Sequence, residues 1–332
     1  MSVKGGRFLT LADHAKRMDP DGSVAVIVEM LSETNAILDD LITRECNDGT
    51  SHKTTMRTGI PEAAWRMLNY GVPKGKSDTA QVTDTTGMLE AYNEVDKALA
   101  DLNGNTAQFR LSEANARIEG MGQQMAETLF YGDTTKNPER FLGLSARYST
   151  LDKSKAESAN TVIDAGGQGI DNTSIWLVTW GENTTHGLFP KGSKAGLDHM
   201  DKGQETLTDE KGGMYEGYRD HFKWDLGLTV RDHRYNGRIC NLDVAQLKDS
   251  ANVATLKKVI RWLIELSEQV EEGGNKVFYM NRKMRTLLRL AILEKVSGNL
   301  VWENVEGKRV MMFDDIPVKR VDQILSNEAR VI

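Results

Sequence analysis

Cysteine is nearly absent: Cys46 and Cys240 are the only two in 332 residues. Two thiols so far apart exclude a disulfide framework and predict buried, reduced side chains. No apolar run approaches the roughly 20 residues that a membrane-crossing helix requires. The first residues, MSVKGGRFLTLADHAKR, lack the apolar core of a secretory signal. Six prolines are too few for a proline-rich stalk, and a mean hydropathy of -0.47 does not suit a membrane protein. Positive charge is also short. Lys and Arg total 42 against 48 Asp and Glu, a net charge of -6. That balance argues against a chain whose main task is to hold nucleic acid by its phosphates.

Catalytic and ligand-binding patterns are equally scarce. Residues 143–147 (GLSAR) miss the last glycine of the G-x-S-x-G nucleophile turn. Four of the six histidines, His14, His199, His221 and His233, directly follow an aspartate. Adjacent side chains diverge in helices and strands alike, so these pairs do not make a metal site. Residues 166–169 (GGQG) precede a strand pattern, whereas a dinucleotide-binding turn follows one. Asp39-Asp40, Glu271-Glu272 and Asp314-Asp315 read as solvated faces. No catalytic residue, cofactor or metal is expected.

What is present is an ordinary α+β composition, 39% hydrophobic and 27% charged, long enough for about two domains. Residues 24–41 carry apolar side chains near helical spacing. Helices are also expected over 88–102 (Leu89, Tyr92, Val95, Leu99 and Leu102 on one face) and over 106–131 (Leu111, Ala114, Ile118, Met121, Met125 and Leu129). Gly120 and Gly122 inside the second suggest close approach by another backbone. Strands are expected at 174–180 (SIWLVTW), 223–231, 277–280, 300–305 and 309–313, the last two joined around Gly307. Residues 181–218 read as a glycine-rich excursion. The expected helix at 253–272 has Lys257, Lys258 and Arg261 toward its start and Glu265, Glu268, Glu271 and Glu272 toward its end. That order opposes the helix dipole and suggests partners elsewhere, on a neighbouring subunit. The helix at 282–297 is strongly basic and reads as a solvated or subunit-facing surface, because the whole chain is acidic.

Residues 46–86 are the least globular part. Between 53 and 80, five basic residues (Lys53, Arg57, Arg66, Lys74, Lys76) face two acidic ones (Glu62, Asp78). Within this segment, residues 71–77 read GVPKGKS. A phosphate-binding loop needs four residues between its glycines, a strand before it and a helix after it. Here three residues separate Gly71 from Gly75, and the flanking sequence supplies neither element. A nucleotide-binding enzyme using residues 71–77 is the alternative from a different class.

The order of these segments resembles the major capsid proteins of tailed bacteriophages, with the Hong Kong 97-like fold. The resemblance runs through MRTGIPEAAWRMLNYGVPKGKSDTAQVTD, the long helix followed by FYGDTTKNPERFLGLSARY, and VFYMN to GKRVMMFDDIPVKRVD. It implies an N-arm at 1–45, an extended E-loop hairpin at 46–86 and a peripheral domain at 87–165 with spine helix 106–131. It further implies mixed axial and peripheral strands at 166–250 and an axial domain core at 251–332. The segment HFKWDLGLTVRDHRYNGRICNLD resembles peripheral-domain strands that follow the axial core in many relatives, so a rearranged strand order is expected. The implied function is a subunit of pentamers and hexamers that close into the icosahedral, DNA-containing head, formed in the bacterial host cytoplasm. A related alternative is an encapsulin-like shell. Arg57, Trp65, Arg66, Lys74 and Lys76 become expected subunit-interface residues. The chain starts at its arm, so a separate scaffolding protein is expected, with a portal, a decoration protein and packaged DNA bound without sequence specificity, and no membrane partner.

Overall fold

The computed structural model describes residues 33–209, 211–249, 253–294, 298–305 and 308–332. Half of the helix expected at 24–41 lies outside them, as do Gly307 and residues 295–297. Its described end is a single turn, α1 (Ile37–Asp40), followed by β1 (Thr43–Glu45).

Two long strands come next, β2 (Ser51–Gly59) and β3 (Asp78–Asp96). The second corrects the helix expected at 88–102. Leu89, Tyr92 and Val95 do sit at helical spacing, but Leu89, Ala91, Asn93 and Val95 also alternate, and those four turn inward. Eleven consecutive positions, from Thr86 to Asp96, pair with the long strand β8 (Met214–Val230). Sheet pairing therefore overrides an ambiguous local period. Only α2 (Lys97–Ala100) remains helical there, capped by the Asp96 carboxylate, which accepts from the Ala98 N–H at 2.8 Å.

Helix α3 (Thr106–Tyr131) forms as expected. Its C-terminal half is buried through Met121, Met125, Leu129 and Phe130, while Leu111 is exposed. It stops at Gly132, where a Cβ would lie 2.2 Å from the Phe141 carbonyl oxygen. A one-turn helix, α4 (Leu144–Arg147), follows, and then β4 (Val162–Asp164) and β5 (Asn172–Trp180).

The supposed excursion at 181–218 is ordered sheet: β6 (Thr185–Phe189), β7 (Leu197–Thr208) and the start of β8. β7 was illegible because LDHMDKGQETLT lacks an apolar alternation; most of it is exposed, with Leu207 its buried anchor. The chain continues through β9 (Gly237–Asp243), α5 (Val244–Asp249), α6 (Val253–Gln269), β10 (Asn275–Met280) and α7 (Arg282–Leu293). It ends in the meander β11 (Leu300–Val305), β12 (Lys308–Phe313) and β13 (Ile316–Arg320).

The strands form one connected sheet in the order β11-β12-β13-β10-β5-β6-β8-β3-β2, with β9 also paired to β5 and β7 to β8. Its centre is covered on both faces, which is why SIWLVTW is buried throughout and mostly apolar. Ile175 and Leu177 of β5 and Phe278 of β10 pack under α6 and α7 with Leu256, Leu263, Met284 and Leu288. The alternate residues, Trp176, Val178 and Tyr279, meet Leu129 and Phe130 of α3 on the other face.

Candidate assembly surface

β3 belongs to two structures at once. From Asp78 to Thr85 it pairs only with β2, making a hairpin; from Thr86 onward it pairs with β8 in the body. The hairpin is thus the body sheet carried onward by one 19-residue strand, which at about 3.3 Å per residue spans about 60 Å. A bulge between Arg57 and Gly59 ends the ladder.

Beyond it, every residue from 60 to 79 is exposed. These include Ile60, Trp65, Met67, Leu68, Tyr70 and Val72, side chains that a soluble domain would ordinarily bury. A turn brings the Tyr70 N–H to the Met67 carbonyl at 3.2 Å, with Asn69 at φ 69°. Gly75 is needed opposite Pro61, whose Cβ would lie 2.9 Å from a Cβ at that position. The five expected interface residues all lie on this hairpin. Arg57, Trp65, Arg66 and Lys74 are exposed; Lys76 pairs at 3.2 Å with Asp78 of its own chain.

The root is tied down by groups that the sequence did not advertise. Arg147 of α4 donates from Nη2 to Asp84 at 2.7 Å and to the Leu228 carbonyl at 2.9 Å. Thr229 donates to the other Asp84 oxygen at 2.5 Å. Beside it, His52 of β2 meets His186 of β6 edge-on, ring centroids 5.9 Å apart. Burial pushes the His186 imidazole down to about 4, with His52, Arg231 and Arg44 adding repulsion. Burial and then Arg231 also lower His52.

Next to β3 a groove of about 360 Å³ runs along α3, lined by Leu89, Glu90, Glu113, Ala116, Arg117, Gly120 and Met121. The close backbone approach expected at Gly120 and Gly122 is not made among the described residues. A Cβ at Gly120 would meet nothing within 4 Å, and one at Gly122 only the end of Leu38.

A second node missed in the sequence locks the chain's end to the body. Arg238 of β9 and Glu328 are both buried and pair at 2.7 Å. Arg238 also donates to the Ser174 hydroxyl and the Tyr148 carbonyl, while Tyr131 and Ser174 donate to Glu328. Burial, then the Glu328 charge, holds the Tyr131 phenol well above its ordinary range. Both cysteines are free and buried; burial pushes their thiols up to about 11 for Cys46 and about 12 for Cys240.

Residues 71–77 lead directly into β3, not into a helix, so no helix N-terminus faces the loop. The geometry that would bind a phosphate is missing, which overturns the nucleotide reading. No helix among the described residues is long and apolar enough to cross a membrane.

The described residues thus form a layered α+β body with a long helix, and a hairpin whose apolar tip they leave uncovered. The family model described as Major capsid protein GP7 matches residues 19–332, and the chain belongs to that family. A near-atomic structure of bacteriophage Epsilon15 is 35% identical to it and covers 100% of this chain and 99% of that one, with a TM-score of 0.78. The capsid of a native GTA particle is 9% identical, covering 68% of this chain and 95% of that one, with a TM-score of 0.49. The holo-SrpI encapsulin of Synechococcus elongatus PCC 7942 is 13% identical, covering 72% and 98%, with a TM-score of 0.42. Likeness at those last two levels is too slight to carry an argument. No curated protein matches the chain. The family and the Epsilon15 likeness decide between the two shell readings: this is a major capsid protein of a tailed bacteriophage, a structural component of the virion's icosahedral shell.

Proposed function

We propose that the chain builds pentamers and hexamers of that shell and that its hairpin, the E-loop at 46–86, holds neighbouring subunits together. The observation that carries this reading is the run of six large apolar side chains at the tip, exposed on a hairpin firmly anchored at its root. Burying such a side chain is worth about 1.5–3 kcal/mol, a gain that the described residues of its own chain do not supply. Trp65 and Arg66 serve as anchors, and Arg57, Lys74 and Lys76 supply positive charge. The groove along α3, with Glu90 and Glu113 on its wall and Gly120 leaving its floor open, is the receptor of matching charge and shape on the neighbour.

On this reading residues 1–45 are an N-arm and 87–165 a peripheral domain around spine helix 106–131. Residues 166–250 are strands shared between the domains, and 251–332 are the axial core. Assembly takes place in the host cytoplasm with a separate scaffolding protein. A portal and a decoration protein complete the head, and DNA is enclosed without sequence-specific contacts, in keeping with the net charge of -6.

The test is the double substitution Trp65→Ala with Leu68→Ala, followed by sedimentation and negative-stain electron microscopy. The expected result is a subunit with native circular dichroism and a sharply reduced yield of shells. Shells at the parent's yield would overturn the role of the tip.

A further inference from the structure

The axial end of the body carries two exposed surfaces that contacts among the described residues leave unsatisfied, and their chemistry is complementary. The first is a groove of about 590 Å³ between α7 and the edge strand β11. Leu290, Leu293 and Trp302 line it and are all exposed, Leu293 at 74%. Trp302 and Arg309 share one face of the β11–β12 hairpin, because Trp302 pairs with Met311 and Asn304 with Arg309. The Arg289 guanidinium lies 5.7 Å from the Trp302 ring, and Arg309 lies on the same lining. Neither arginine has an ion-pair partner among the described residues.

The second surface is the outer face of α6. Ile264 is exposed at 40%, on a face that also carries Arg261, Glu265 and Glu268, all exposed. Among the described residues neither glutamate has an ion-pair partner. Both stand toward the C-terminal half of the helix, the end at which the dipole penalises negative charge. An arrangement unfavourable within the chain gains a purpose if cations from outside sit on it.

Within one subunit no ion pair joins the two surfaces among the described residues, although α6 and α7 pack side by side on one face of the sheet, α6 over β4 and β9 and α7 beside β11 and β13. Two different patches on one subunit make a head-to-tail contact, the kind that closes into a ring.

We propose that the α6 face of one subunit, Ile264 with Glu265 and Glu268, docks in the α7–β11 groove of the next copy around a capsomer, against Leu290, Leu293, Trp302, Arg289 and Arg309. The inference rests on the shell-assembly reading, and the occupant is a second copy of this chain. Ile264 fills the apolar floor, while the two glutamates reach the arginines on its rim. The contact is separate from the hairpin tip, and both act together in holding the ring.

Charge reversal tests it. R289E/R309E and E265R/E268R are each made in the full chain, then combined, and shells are counted by sedimentation and negative-stain microscopy. Like charges brought face to face cost enough that each pair alone is expected to lower the shell yield by about tenfold or more, and the combination to recover most of it. The substituted side chains are all exposed, and thermal unfolding checks that each variant folds. Should a reversed variant fail to fold, Ile264→Cys with Leu293→Cys provides the decision: mild oxidation is expected to link subunits into a ladder, since both native thiols are buried. Reversed variants that assemble like the parent, a combination that does not recover, loss in the groove variant alone, or no cross-linked ladder would each overturn this contact. A parent chain that makes no shells would overturn the assembly reading itself, a distinct outcome.

Discussion

The hairpin tip and the Arg238–Glu328 node are made under opposite rules. At the node, two charges removed from water are surrounded by partners from β5, β9, α3 and the C-terminal segment. At the tip, six large apolar groups stand in water with none of the body's contacts. A chain that solves the harder burial problem so fully has not failed at the easier one. On the proposed reading the tip's cover comes from a neighbouring subunit. The node then serves folding and the tip assembly, so substitutions in the two should separate stability from association.

The largest effect is expected at the node. Glu328→Ala leaves the Arg238 guanidinium buried without its counter-ion, a loss of about 3–5 kcal/mol, read as a lower urea midpoint of the isolated subunit. A result under about 1 kcal/mol would mean that the C-terminal segment is not part of the folding unit. Next is Asp84→Ala at the hairpin root, where Arg147 and Thr229 lose their shared acceptor. A cost of about 3 kcal/mol is expected, together with faster hydrogen exchange in β2; exchange unchanged there would show that the root is held by other contacts.

Acid should reveal the same root more gently. An unfolded histidine takes its proton near 6.5, whereas folded His186 does so only near 4. The unfolded state therefore binds more protons within that window, so stability is full above 6.5 and declines as pH falls toward 4. His52, shifted in the same direction, adds to the decline. His186→Gln should flatten the dependence of the urea midpoint on pH across this window; an unchanged slope would remove the pair from the account. The smallest effect belongs to Lys76→Ala, which removes an exposed ion pair with Asp78 and should shift stability by less than about 1 kcal/mol.

The body was legible where one period dominated. SIWLVTW, the 106–131 helix and the core face of α6 (Leu256, Val259, Ile260, Leu263, Leu266) follow from pattern alone, because burial on known faces leaves few alternatives. β3 misled because Leu89 and Val95 satisfy two periods, the helical one with Tyr92 and the strand one with Ala91 and Asn93, and only its long-range partner β8 decides between them. β7 was lost because a mostly exposed strand with Leu207 as its buried anchor has no apolar alternation to display. The hairpin was visible as a basic, weakly apolar segment, and the resemblance to phage capsid proteins located its tip. Its root was not visible. Asp84, Arg147 and Thr229 are ordinary residues far apart in sequence, as are Arg238 and Glu328, and no local rule links such partners.

The most direct test of the separation between folding and assembly is to replace residues 61–76 with a short Gly-Ser linker and compare the variant with the parent by sedimentation, electron microscopy and urea unfolding. The expected result is a subunit within about 1 kcal/mol of the parent's stability that sediments as a small species and forms no closed shells. Normal shells from the shortened chain would contradict the central claim.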